Sequence, residues 1–461
     1  AWRRGVLPST HLLDGGLHTL MLPVILTAER AKRIYFRTFG CRANQYDTER
    51  LRRLLELRGC ETVGDLAQAD AVVVNSCTVT QAADSELCRY VRALSRRSHG
   101  RVPVVVTGCA AAVGGDAIRV LDGVTAVVPG QDPEAVARSL RLLPRGTDEL
   151  DIGLLDRCER GTRAWLKVQD GCDLRCSYCV IRVARGRSRS RVPAEVIEEA
   201  RRLAEHHPEI SLTGIHISLY GKDLTPRATF LALLARLLER VPDVRFRIGS
   251  LECNQLDDDV IELIAGSGGR LAPHLHVPLQ SGSDRVLRLM RRPYPAGRYR
   301  ARVERLRERV WPLGLGTDLI VGFPGETDED HRRTVELIQA LPFTYVHVFP
   351  YSSRAGTDAA RLPGPVPPRV KTERSREIRE LVRWKAEAYR RRRIGTLARV
   401  VLEGDDPATA VTGDYLKMPA SDSLKATGPR MQMARIEAAR DGGLRAAAYT
   451  RSEPAWRRRT G

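Results

Sequence analysis

Aromatic residues make up only 5% of this 461-residue chain. A platform for single-stranded nucleic acid stacks bases on aromatic rings, so composition argues against one. No apolar run approaches the roughly 20 residues that a membrane-spanning helix needs. Acidic residues are outnumbered, 56 against 75 Lys and Arg, which leaves a formal net charge of +19. That excess points to a polyanionic partner, nucleic acid above all; drift in an arginine-rich proteome is the alternative source. Also missing is a second Cys-x2-Cys pair of the kind that closes a zinc site at four ligands.

What the chain does have is Gly171-Cys-Asp-Leu-Arg-Cys-Ser-Tyr-Cys-Val180. Cys172, Cys176 and Cys179 are near enough in sequence to hold three of the four irons of a cubane cluster. The fourth iron stays open, able to chelate a small molecule and pass it an electron. With Tyr178 before Cys179, the spacing resembles the signature of the radical S-adenosylmethionine (SAM) superfamily. The chain has 10 cysteines in all, and clustering of this kind reads as metal binding in a reducing cytoplasm rather than as disulfides. Residues 1–31 carry an apolar patch, Leu17 to Leu26, behind Arg3 and Arg4. A signal peptide has this outline, but export sits badly with an oxygen-sensitive cluster, so the stretch reads as a disordered or dispensable extension.

From Arg33 the pattern becomes strand–loop–helix, repeated. Strands are expected at Arg33–Thr38, Ala71–Val74, Val102–Val106 and Thr125–Val128, and a helix at Gln45–Arg58 stops at Gly59. The order argues for a doubly wound α/β domain with a parallel sheet. Cys41, Cys77 and Cys109 each follow one of these strands. Loops after the carboxyl ends of parallel strands converge on one crevice, so these three cysteines are expected to meet and hold a second cluster. Burial as small apolar residues is the alternative. Cys60, Cys88, Cys158 and Cys253 lack such placement.

Six strand–helix units follow between Arg163 and Val348, with helices such as Pro193–Glu205 and Phe230–Arg240. They suggest a partial (β/α)6 barrel with the Cys172 loop at its mouth. Strand-end residues there fit a bound SAM: Tyr178, Thr213, Gly214, Ser250, Glu252, Gln280, Ile320 and Gly322. Gly-rich turns and a capping serine explain each of them singly about as well. Arg182, Arg185, Arg187, Arg189 and Arg191 form a basic run, a solvated loop by default and otherwise a contact for phosphate or the SAM carboxylate. Val366–Arg393 is helical in character. Gly395–Ile436 reads as short strands, either a small RNA-gripping β-barrel or a structural cap. The expected divisions are 1–31, 32–148, 155–390, 391–437 and a disordered tail at 438–461.

From about Arg33 to Ile436 the chain resembles the methylthiotransferase family of radical SAM enzymes. The resemblance rests on Gly40-Cys-Arg-Ala-Asn-Gln-Tyr-Asp47, Asn75-Ser-Cys77, Gly108-Cys109, the Cys172/Cys176/Cys179 set and Ala184-Arg-Gly186. His276 through Ser283, Gly322-Phe-Pro-Gly-Glu326 and Phe349-Pro-Tyr-Ser352 extend it. It implies two 4Fe–4S clusters, SAM and a C-terminal RNA-binding domain of the TRAM kind. The chemistry it implies is transfer of a methylthio group to C2 of a modified adenine in a tRNA anticodon loop. An electron donor such as flavodoxin or ferredoxin is implied too, with the sulfur donor open and the setting cytoplasmic. Asn44-Gln-Tyr-Asp47 and Tyr351-Ser-Ser-Arg-Ala-Gly-Thr357 look most like the branch acting on N6-threonylcarbamoyladenosine, just 3′ of the anticodon. Branches acting on N6-isopentenyladenosine or on a ribosomal-protein aspartate are the alternatives, and an iron–sulfur RNA-binding protein is the non-enzyme one. Arg182, Cys253 and Ala272 depart from the family pattern, and the tail matches a TRAM domain poorly.

Overall fold

The computed structural model describes residues 32–142 except 79, then 153–159, 161–404, 408–425, 430–440 and 442–449. The extension expected over 1–31 lies outside them. Five parallel strands form the front sheet: β1 (Arg33–Thr38), β2 (Glu61–Val63), β3 (Ala71–Ser76), β4 (Val104–Gly108) and β5 (Val124–Pro129), in the order β2-β1-β3-β4-β5. The valine runs of β3 and β4 are fully buried, as central parallel strands covered on both faces must be. Helices α1 (Arg42–Leu57), α2 (Gln81–Ser98) and α3 (Cys109–Arg119) supply the cover. Leu51, Leu54 and Leu55 close one face over Ile34 and Phe36, while Leu87 and Val91 close the other over Val72 and Val74. Strand β2 was not foreseen, because three residues are too few to show an alternation.

Six parallel strands then follow in chain order: Arg163–Lys167, Glu209–Thr213, Arg245–Ile248, His274–His276, Gly314–Val321 and Tyr345–Pro350. The third and fourth are joined through bridges at Phe246–Leu271 and Ser250–His276. Among the described residues the first and sixth do not pair, so the barrel is partial and has an open seam. Its helices bury apolar residues at three- and four-residue spacing: Phe230, Leu233, Leu234 and Leu237 point inward behind a Thr229 cap.

The helix Pro368–Arg393 packs on the sixth strand and leads into a five-stranded antiparallel sheet. A bridge between Ala420 and Ala446 brings its two edges together, so the sheet nearly closes into a barrel. The structured part does not stop at 437 as expected. Met431–Ala438 pairs with a last strand, Leu444–Ala448. The inward positions there are largely alanine, among them Ala398, Ala410, Ala434 and Ala446. Alanine is a poor strand former, so the period was faint in the sequence. Residues 450–461 of the expected tail lie outside the described residues.

One buried network ties this sheet to the barrel. Glu209 accepts from Arg245 Nε at 2.5 Å and from Arg247 Nε at 2.7 Å. Both arginines reach onward to the tail, Arg245 to the Arg399 carbonyl at 2.8 Å and Arg247 to that of Gly413 at 2.8 Å. Burial alone would raise the Glu209 carboxyl, but Arg247 and Arg245 outweigh it and hold the group well below the usual carboxylate range. A carboxylate depressed in this way stabilises fully above its unfolded value near 4.3, and loses that contribution only as pH falls through the folded value. Glu209→Gln is expected to cost about 3–5 kcal/mol by stranding two buried guanidinium groups. Denaturant titration checks it, and the gap from wild type should stay flat from neutrality to about pH 5.

Candidate active site

The loops after β1, β3 and β4 bring Cys41, Cys77 and Cys109 together. Gly40 has φ of 106°, and a side chain there would meet Cys77 Cβ at 2.5 Å. Gly108 has φ of 93° and lies as tightly against Ser76 O, 2.7 Å from where its own Cβ would stand. Asn44 and Asn75 lock the loops laterally, Asn44 Nδ2 donating to Asn75 Oδ1 at 3.1 Å and Asn75 Nδ2 returning to the Asn44 carbonyl at 3.0 Å. Cys41 is exposed, whereas Cys77 and Cys109 are buried.

Arg185 joins this set to the barrel mouth. Its guanidinium is 3.2 Å from Cys109 Sγ, 2.8 Å from Asn44 Oδ1, 3.1 Å from Asp47 Oδ2 and 3.0 Å from Asp170 Oδ1. Burial pushes the Cys109 thiol up, and Arg185 opposes that rise. Asp170 is held at about 2: burial would raise it, but Lys167 and Arg185 prevail.

Two residues beyond Asp170 the Cys172 loop begins. Cys172, Cys176 and Cys179 lie close enough for their charges to act on one another. Ser177 fixes the loop, its hydroxyl donating to the Leu289 carbonyl at 2.7 Å and its own carbonyl accepting from Ala359 at 2.8 Å. Burial raises the Cys172 thiol to about 11. Neither cysteine set draws all three sulfurs within 4.8 Å of one another; among the described residues only His276, Asp318 and His347 do that. Three thiol donors in the Cys172 loop, one of them with the Arg292 guanidinium beside it, are a donor set that fits an iron–sulfur cluster.

A cavity of about 880 Å³ is lined by Cys41 and Cys77, by the barrel ends at Thr213, Gly214 and Ser250 and by the tail turn at Tyr415 and Lys417. Asp318 projects into it 3.1 Å from His276 Nε2 and 3.2 Å from His347 Nδ1. Burial would raise its carboxyl, yet the two imidazoles hold it well below the usual range. Other expected SAM contacts lie elsewhere. Tyr178 and Ile320 pack with Phe323 and Met290 beside the Cys172 loop. Glu252 pairs with Arg292, whose Nη1 is 3.4 Å from Cys176 Sγ. Gln280 uses its backbone in strand pairing with Asp318 and Ile320. Gly322 lies against the Lys371 stem, while Gly214, which lines the cavity, also lies against Ile217 and the Gln169 carbonyl.

Comparison with known proteins settles the class. Residues 166–338 match the Radical SAM superfamily, and residues 33–130 match the Uncharacterized protein family UPF0004. The threonylcarbamoyladenosine tRNA methylthiotransferase MtaB of Bacillus subtilis is 39% identical over 374 residues, covering 77% of this chain and 81% of that protein. The chain belongs to the radical SAM methylthiotransferase family. The MtaB of Thermotoga maritima is 34% identical over 81% of this chain and 87% of its own. The tRNA-2-methylthio-N(6)-dimethylallyladenosine synthase of Syntrophobacter fumaroxidans is also 34% identical, over 85% of this chain and 89% of its own. Among solved structures, the radical SAM methyltransferase TsrM of Kitasatospora setae shares the fold, with a TM-score of 0.51 and 18% identity over 72% of this chain and 77% of that one. Membership makes this methylthiotransferase an enzyme that works with a 4Fe–4S cluster and SAM.

Sequence reasoning took the arginines after Cys179 as one run, and the structure divides them. Arg187 and Arg189 are exposed, but Arg185 is buried as above and Arg191 pairs with Glu199 at 2.6 Å. Arg292 was missed altogether, since nothing distinguished it among so many arginines. Replacing Arg185 by Ala in the methylthiotransferase would leave Asp47 and Asp170 buried with Lys167 as their remaining cation. A loss of about 3–5 kcal/mol is expected in denaturant unfolding, with Arg185→Lys recovering only part of it.

Proposed function

We propose that this methylthiotransferase acts on tRNA, adding a methylthio group to C2 of N6-threonylcarbamoyladenosine next to the anticodon. The observation that carries the reading is the shared cavity: Cys41 and Cys77 face the same space as the barrel ends Thr213 and Ser250. In this reading Cys172, Cys176 and Cys179 hold one 4Fe–4S cluster and Cys41, Cys77 and Cys109 a second. When bound, the first cluster with SAM supplies a radical able to take hydrogen from the adenine C2, and the second supplies sulfur. The chain's own part is to bring the base between them. Phe39, Tyr345 and Tyr415 line the cavity with rings that can stack on an unpaired purine. Arg292 stands beside Cys176 and Arg185 beside Cys109, each donating to a sulfur that carries negative charge when it ligates iron.

The branch follows relatives named for threonylcarbamoyladenosine, with the dimethylallyladenosine enzymes as the second reading. A flavodoxin- or ferredoxin-like protein would supply electrons, in the cytoplasm where tRNA resides. Among the described residues no helix is long and apolar enough to cross a membrane.

Two variants separate the cysteine sets. Under reducing conditions Cys176→Ala is expected to form no 5′-deoxyadenosine from SAM. Cys41→Ala is expected to form it still, while methylthio product falls to background. Persistent deoxyadenosine in the first variant, or methylthiolation by the second, would remove the corresponding set from the reaction.

A further inference from the structure

The charges around the shared cavity are unbalanced in one place. Of its carboxylates, Asp318 is taken by two imidazoles, and Asp414 accepts from Tyr389 Oη at 2.6 Å and Arg393 Nε at 3.0 Å. Glu86 stands on α2, the helix that follows Cys77. Of the cations, Arg42 is engaged, donating to Tyr415 Oη at 3.1 Å and lying over the Trp165 ring. Arg390 and Lys417 are different. They are exposed, border both this cavity and an adjoining one of about 530 Å³, and form no ion pair among the described residues. Lys417 Nζ stands 5.7 Å over the Tyr415 ring. One cation comes from the last turn of the long helix and the other from the tail sheet, so folding sets two positive charges on the wall of the pocket that Cys41 also lines.

We propose that Arg390 and Lys417 form a carboxylate seat that selects the substrate by the acid on its N6 arm. The proposal rests on threonylcarbamoyladenosine being the target. That nucleoside ends its N6 arm in a carboxylate, whereas an isopentenyl arm ends in hydrocarbon and would leave both cations with nothing to bind. A charge-assisted contact to a carboxylate is stronger than one to a neutral ester, so the seat discriminates by charge rather than by size.

The test measures binding by the cluster-reconstituted full-length enzyme at fixed salt. The probes are anticodon stem-loop RNAs carrying threonylcarbamoyladenosine, its methyl ester or isopentenyladenosine. Wild type is expected to prefer the acid over the ester by about tenfold. In Arg390→Gln/Lys417→Gln the preference should shrink to within about twofold, with ester binding little changed, while Lys417→Arg keeps it. If the double variant weakens acid and ester alike, these cations hold backbone phosphates and the seat is refuted. Absence of any acid–ester preference in a wild type that converts the threonylcarbamoyl RNA refutes the seat alone. Conversion of the isopentenyl RNA in its place overturns the substrate assignment and the seat together.

Discussion

The guanidinium of Arg185 is the contact on which the site depends. It hydrogen-bonds to Asp47 and Asn44 from the front domain, Asp170 from the barrel and the sulfur of Cys109. A buried ion costs several kcal/mol in desolvation, which only a fully satisfied geometry offsets. The same geometry sets the register of the two domains. Asp170 lies two residues before Cys172, and Asn44 and Asp47 lie three and six after Cys41. With the Lys167 ammonium on the same two carboxylates, this side chain fixes where the front cysteines stand relative to the cysteine loop of the barrel. For a reaction needing a radical and a sulfur atom on the same carbon, that register is what the fold has to supply.

The barrel's open seam is the second constraint. A closed barrel would fill its own interior with side chains. Here the first and sixth strands are left apart, and the tail sheet sends Tyr415 toward the gap, where four cations stand 4.8 to 5.7 Å from its ring: Arg42, Arg163, Arg247 and Lys417. The tail is thus a wall of the cavity, coupled to the barrel through Glu209 and its arginines. An RNA-gripping module on a loose tether would have no need of that buried network.

Much of this was legible in the sequence, for local reasons. The valine runs of β3 and β4 announce buried parallel strands, and a cysteine at three strand ends announces convergence. Six strand–helix units were expected between Arg163 and Val348, and six parallel strands stand there, the last ending at Pro350. What stayed hidden was non-local. Arg185 and Arg187 look alike in sequence, yet one is buried against two carboxylates and the other is exposed, and only the front domain's position decides which. Glu209 and Arg247 sit in strands where charge argues for an exposed face; their burial follows from the tail packing over them. Packing of the expected SAM contact Gly322 against the Lys371 stem was equally invisible in the strand-end motif.

The most direct test of the central claim, methylthiolation of threonylcarbamoyladenosine in tRNA, is mass spectrometry of tRNA nucleosides from cells with and without this gene. The account predicts loss of 2-methylthio-N6-threonylcarbamoyladenosine and accumulation of its unthiolated precursor. An unchanged nucleoside profile would contradict it.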